Sequence, residues 1–142
     1  MKPTLILSIL LFFQFNTFSQ PAIPKKAGTY ADFVGVVTHS GMIEGYFMFT
    51  LYCEDIRKEV TFHRGFGIKN PPKVTYGRFG SILEYIDKDC RECINYVVRV
   101  KAISVYQQSF GEQGYDLVWS PVRITLISRC EPSIQNDASQ RK

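Results

Sequence analysis

Between Gly45 and Cys53 the chain alternates without a break: Phe47, Phe49, Leu51 and Cys53 fall on one parity, and Tyr46, Met48, Thr50 and Tyr52 on the other. Side chains that point to opposite faces in turn make a β-strand, so this segment has one face for a core and another for something else. Lys58 to Arg64 repeats the pattern, with Val60 and Phe62 inward and Thr61 and His63 outward. The polar Glu54-Asp55-Ile56-Arg57 between them is a turn, and the two runs read as consecutive strands.

The rest of the chain follows from that frame. Ala31 to Thr38 is a β-branched run that is apolar on both faces, which suits a strand covered on both sides. His39 to Gly45 then turns the chain. After the third strand, Gly65, Gly67 and Pro71-Pro72 form a loop. From Arg78 the period changes: Phe79, Ile82, Leu83 and Ile86 stand at i, i+3, i+4 and i+7, which predicts a helix near Arg78 to Lys88. Ile94 to Tyr106 is a long strand whose apolar parity moves from Ile94, Tyr96, Val98 and Val100 to Ile103 and Val105, the signature of a β-bulge or sharp bend. Gln107 to Gly114 is a turn. Tyr115 to Ile127 is the last strand, and Pro121 within it calls for an edge position or a second bulge.

Three strands, a helix and two long bent strands are the element order of an oligomer-binding (OB) barrel, a five-stranded, partly open antiparallel Greek-key barrel. The fold class is therefore mainly β with one helix, in an OB-like barrel. The competing arrangement is a β-sandwich or a curled meander sheet with one helix packed across it. At 142 residues the chain has room for one domain, expected over residues 29–130.

Met1-Lys2, the apolar run Leu5 to Phe13 and the small residues Thr17 and Ser19 read as an export signal, residues 1–19, cut after Ser19. The apolar run is too short to span a bilayer, so no permanent membrane anchor is expected. Residues 20–28 form a leader and residues 131–142 a tail, both expected to be disordered. The formal net charge of +4 forms no basic cluster, which argues against a nucleic-acid partner.

Export makes the four cysteines disulfide candidates. Cys53 and Cys130 share inward parity, which favours pairing them and leaves Cys90 with Cys93. Closing the longer loop would remove about 4.5 kcal/mol of unfolded-state freedom on a chain-entropy basis. A redox dithiol at Asp89-Cys90-Arg91-Glu92-Cys93 is disfavoured, because the pair follows the carboxyl end of a helix between acidic residues, where the neutral thiol is stabilised. A zinc site needs two closely spaced thiolate pairs and only one is present, so no metal and no cofactor are expected.

Neither His39 nor His63 has a neighbour in sequence that would orient it as a base, and both read as surface histidines. Gly65-Phe66-Gly67 is too short to cradle a phosphate. The outward face of the second and third strands is the candidate ligand surface: Tyr46, Met48, Tyr52, Thr61 and His63, with Arg64 at the rim. In OB barrels ligands lie on this face. These features lead to an exported, non-catalytic domain that binds an envelope or extracellular protein or a glycan. The alternatives are an inhibitor or immunity-type protein that blocks a secreted enzyme with His39 to Gly45 or Gln107 to Gly114, or a small secreted hydrolase or thiol enzyme using His63 or Cys90 and Cys93.

Overall fold

A computed structural model describes residues 21–43, 45–78, 80–109 and 114–129. The expected export signal at 1–19, Phe79 of the helix stripe, Cys130 and the tail at 131–142 lie outside the described residues. The elements are β1 (Tyr30–Ile43), β2 (Tyr46–Cys53), β3 (Lys58–Arg64), β4 (Thr75–Tyr76), α1 (Gly80–Leu83), a 3-10 turn (Arg91–Cys93), β5 (Tyr96–Gln108) and β6 (Tyr115–Arg129).

The strands run in the order β3-β2-β1-β5-β6-β4, and β3 also meets β6. Neighbours are antiparallel except at two places, where Phe62 of β3 and the short β4 pair in parallel with β6. The Phe62 to Trp119 contact closes five strands into a mixed barrel, with β4 as an added strand. The fold is mainly β and OB-like, and this closure separates it from a two-sheet sandwich.

The barrel closes around inward-facing rings. Phe33, Phe49, Phe62 and Trp119 are all buried. Phe33 meets Phe62 and Trp119 edge-on at 5.5 and 5.3 Å, while Phe49 stacks on Phe62 at 5.0 Å. Such ring pairs add roughly 0.5–1.5 kcal/mol each beyond their area burial. Leu83, Ile86 and Cys93 pack into the same cluster from the segment between β4 and β5.

Several boundaries differ from the sequence reading. β1 does not turn at His39. It continues through Ile43, pairing Ser40 with Phe49 and Ile43 with Tyr46, with a bulge at Thr38. The helix is shorter than its apolar stripe: after Glu84 N–H donates to the Gly80 carbonyl, the next bonds are three-residue closures from Ile86 to Leu83 and from Lys88 to Tyr85. Gly80 weakens the helix, yet Ile82, Leu83 and Ile86 still pack on the barrel.

Both irregularities in the β5–β6 ladder sit in β6. Lys101 pairs with Arg123 and Ala102 with Pro121, so Val122 is the extra residue beside the proline, and Ile127 is skipped in the same way. β5 keeps its alternation, with Val98, Val100, Ala102 and Ser104 all buried. Ile103 and Val105 are left on the other face.

The leader, expected to be free, is tied down. The Trp119 indole N–H donates to the Pro21 carbonyl at 3.2 Å, Ala22 packs on the core, and Gly28 N–H donates to the Ser104 carbonyl at 2.8 Å. Aromatic closure of the barrel needs a partner for the buried indole donor, and Pro21 supplies it.

Candidate functional site

The outward face of β2 and β3 is not an open platform. Met48 is 7% and Thr50 7% exposed. Thr61 meets Thr50 hydroxyl to hydroxyl at 3.0 Å. Tyr46 donates its hydroxyl to the Gln108 carbonyl at 3.0 Å, with its ring 5.9 Å from Phe66 and 6.5 Å from His63. The far end of the β5–β6 hairpin is thus fastened to this face, so much of what the alternation marked as outward is packed. Of the expected binding residues, only Tyr52 is exposed, at the opposite end of β2 beside Cys53.

His63 is half-buried, not a surface histidine, and its buried Nδ1 has no partner among the described residues. Burial pushes its pKa below the usual imidazole value, opposed by a hydrogen bond with Gln107 and by the charge of Asp116. The ring is therefore held neutral in a largely apolar corner, with an amide rather than a carboxylate as its bonded partner. His39 is likewise half-buried, with Nε2 unpaired among the described residues.

Arg64 faces away from this group. Strand parity sends it to the side of Val60 and Phe62, where Nη1 donates to the Tyr76 hydroxyl at 3.0 Å and pairs with Asp87 at 3.4 Å. Asp87 is 2% exposed, so a nearly buried carboxylate is balanced by a guanidinium at the mouth of a cleft of about 250 Å³. Phe47, Gly65, Pro71, Pro72, Lys88 and Ser120 complete that cleft. The charges already satisfy each other, which makes this a structural tie between the β3 end and the α1 segment.

The cysteines divide. Cys90 and Cys93 are joined in a disulfide across the 3-10 turn, with Cα atoms 5.3 Å apart and Cys93 fully buried. Cys53 is a buried thiol without a disulfide partner among the described residues, and its expected partner Cys130 lies outside them. Burial, with some help from Asp55, pushes the Cys53 thiol up to about 11. A thiol so far above neutral pH is not a nucleophile. Among the described residues no group of three or more His, Cys, Asp or Glu is placed to hold a metal ion, and no helix is long and apolar enough to cross a membrane.

A second, wider concavity lies elsewhere. Ala27, Gly28, Lys69, Ile103, Ser104, Val105, Tyr106 and Tyr115 line a groove of about 590 Å³. Tyr106 and Tyr115 are 56% and 66% exposed. It runs along the edge of β5, where Ile103 and Val105 lie on the outer face because Ala102 and Ser104 occupy the inward positions, and Tyr106 continues the parity of Ser104. The sequence held the signal for this site in the parity switch at Ile103. That switch marks a second apolar face, not a kink of β5 toward the core.

A search of family models, of curated proteins and of solved structures returns no match for this chain.

Proposed function

We propose that this protein is an exported, non-catalytic binding module whose ligand surface is the tyrosine-walled groove between the leader and the β5–β6 hairpin. The observation that carries the reading is the groove itself: an apolar floor of Ile103 and Val105 beside two exposed tyrosines on a rigid barrel. Large, stiff amphipathic rings lose little entropy on binding and are enriched at recognition surfaces. The lining is mainly aliphatic and aromatic, with Lys69 as its one charged residue, which suits a protein segment better than a glycan, whose hydroxyls need many polar partners. Export fits the Cys90–Cys93 disulfide, since such bonds persist in oxidising compartments, and it fits the amino-terminal signal pattern. The neutral, amide-bonded His63 and the inert Cys53 support binding over a hydrolase or thiol enzyme.

The test places a photo-crosslinking amino acid at Tyr115 or, as a control, at exposed Arg99, in cells producing the full chain. Crosslinks to a protein from position 115, absent from position 99 and lost with Tyr106→Ala, are the expected result. Equal labelling from both positions, or a full-length chain with residues 1–19 retained in the cytosol, would overturn it.

A further inference from the structure

The groove has a polar feature that fixes what kind of protein segment fits it. Backbone groups alternate along β5 between its two neighbours. Ser104 N–H donates to the Thr29 carbonyl and Gln108 N–H to the Gly67 carbonyl, at 2.9 and 2.8 Å, so both point away from β6. Tyr106 lies midway and has the same orientation. Its pairing with Leu117 is then a position without ladder bonds, consistent with Ser109 N–H closing on Gly114. The chain ahead of β1 meets β5 at Gly28, which has φ +79°, and on the other side the Gly67–Ile68 segment pairs with Gln107 and Gln108. Among the described residues no acceptor meets the Tyr106 N–H. One donor is therefore left on an exposed strand edge, aimed into the groove between Gly28 and Lys69.

We infer that this edge receives an extended, acidic peptide segment of a partner protein. This inference rests on the groove reading above and specifies its ligand. A carbonyl of the segment accepts from Tyr106 N–H. An aliphatic side chain lies on Ile103 and Val105, and its neighbour in the extended segment, on the opposite face, meets Tyr106 and Tyr115. A flanking carboxylate pairs with Lys69. Charge complementarity selects the acidic partner, because Lys69 is the charged residue of the lining and the exposed Lys25 and Lys26 directly precede Ala27. Strand addition draws its affinity from such main-chain bonds and its specificity from side chains on alternate positions.

The probe is a fluorescent, end-blocked heptapeptide alternating glutamate with leucine or valine, followed by anisotropy on the full mature chain. Its counterpart has lysine for every glutamate. The expected result is saturable binding of the acidic peptide only, weakened roughly tenfold or more by Lys69→Glu, with the preference moved toward the basic peptide. Tyr106→Pro removes the donor without breaking a ladder bond to β6 and should weaken binding more than Tyr106→Val, which keeps it. Lys69 is exposed, so its variant remains decisive even where the proline variant melts early. Peptide binding that depends on Tyr115 but ignores both Lys69→Glu and Tyr106→Pro overturns the strand-edge inference and leaves the groove reading standing. Failure of both peptides to bind, or binding of an oligosaccharide in their place, overturns both.

Discussion

Gly35 of β1 lies against the β2 backbone at Tyr52, and replacing it with alanine gives a direct measure of how tightly the barrel is wound. A Cβ built there lies 2.5 Å from the Tyr52 carbonyl oxygen, 3.0 Å from its carbon and 3.1 Å from Cys53 Sγ. Gly35 is not among the residues at positive φ, so the cost is steric rather than conformational. Ordinary contact begins near 3.4 Å, so the carbonyl must retreat by about 0.9 Å. The Tyr52 carbonyl is backbone in a strand paired on both sides, to Val36 and to Glu59, and cannot swing away alone. Overpacking of this kind costs about 1–3 kcal/mol, offset by roughly 0.4–1 kcal/mol because alanine has less freedom in the unfolded chain. A net loss of about 2 kcal/mol, near the upper end because two strands must move together, lowers Tm by about 6–10 °C in a chain of this length.

The chain has one tryptophan and it is 1% exposed, so urea unfolding followed by Trp119 fluorescence reads the change directly. A second variant separates the two obstacles. Cys53→Ala relieves the contact with Sγ but leaves the carbonyl in place, so Gly35→Ala/Cys53→Ala stays destabilised. An alanine at position 35 that matches or exceeds the wild type, or full rescue by Cys53→Ala, would refute the backbone argument.

Four further outcomes follow from the same contacts. Because burial lowers the pKa of His63 from 6.5, the fold favours the neutral ring. The stability this provides is complete above pH 6.5 and is lost as pH falls through the folded value; His63→Gln should lose less than wild type between about pH 7.5 and pH 5, measured by urea midpoints. Arg64→Met strands the Asp87 carboxylate and should cost about 3 kcal/mol, the low end for a buried pair because the arginine is part-exposed, whereas Arg64→Met/Asp87→Leu recovers most of the loss. Native-state iodoacetamide should leave the buried Cys53 unmodified, and urea with reductant should expose it, as mapped by peptide mass. Ser104→Val should lose about 1–2 kcal/mol in melting through its bonds to the leader and, in the anisotropy assay, weaken peptide binding.

The parts of the fold legible in sequence are those where one face is core and the neighbour is water. The β2–β3 hairpin is such a place: β2 and β3 run Tyr46–Cys53 and Lys58–Arg64, as the alternation indicated, because Phe49, Leu51, Val60 and Phe62 have a single side on which to hide. Pro121 announced its bulge because a residue without an N–H cannot hold a regular ladder position. Met48 and Thr50 misled for the opposite reason. Their parity is outward with respect to the barrel, but Tyr46 and His63 hold the hairpin end against the same face, and period two cannot tell water from a second layer of protein. The helix stripe identified the segment that packs on the barrel but not the length of the helix, since Asp87 is drawn to Arg64 and the backbone tightens to deliver it.

Ser104 links what the sequence hid to what it displayed. A small hydroxyl on the inward parity of β5 looks like a gap in a core pattern, and apolar Ile103 and Val105 on either side invite the reading that the strand has slipped. The structure keeps the parity and uses the hydroxyl: Ser104 donates to the Lys26 carbonyl and accepts from Thr29 N–H at 2.8 Å, which draws the leader onto the barrel. Two consequences come from that one placement. Ala27 and Gly28 become a wall, and Ile103 and Val105 become a floor facing it. A valine at 104 would keep the inward parity and the same strand pairing, yet it would remove the hydroxyl bonds to Lys26 and Thr29 and loosen the wall that they hold beside the floor. The polar residue in the interior is thus explained by the exterior it organises, and the groove exists because one position of the core is not apolar.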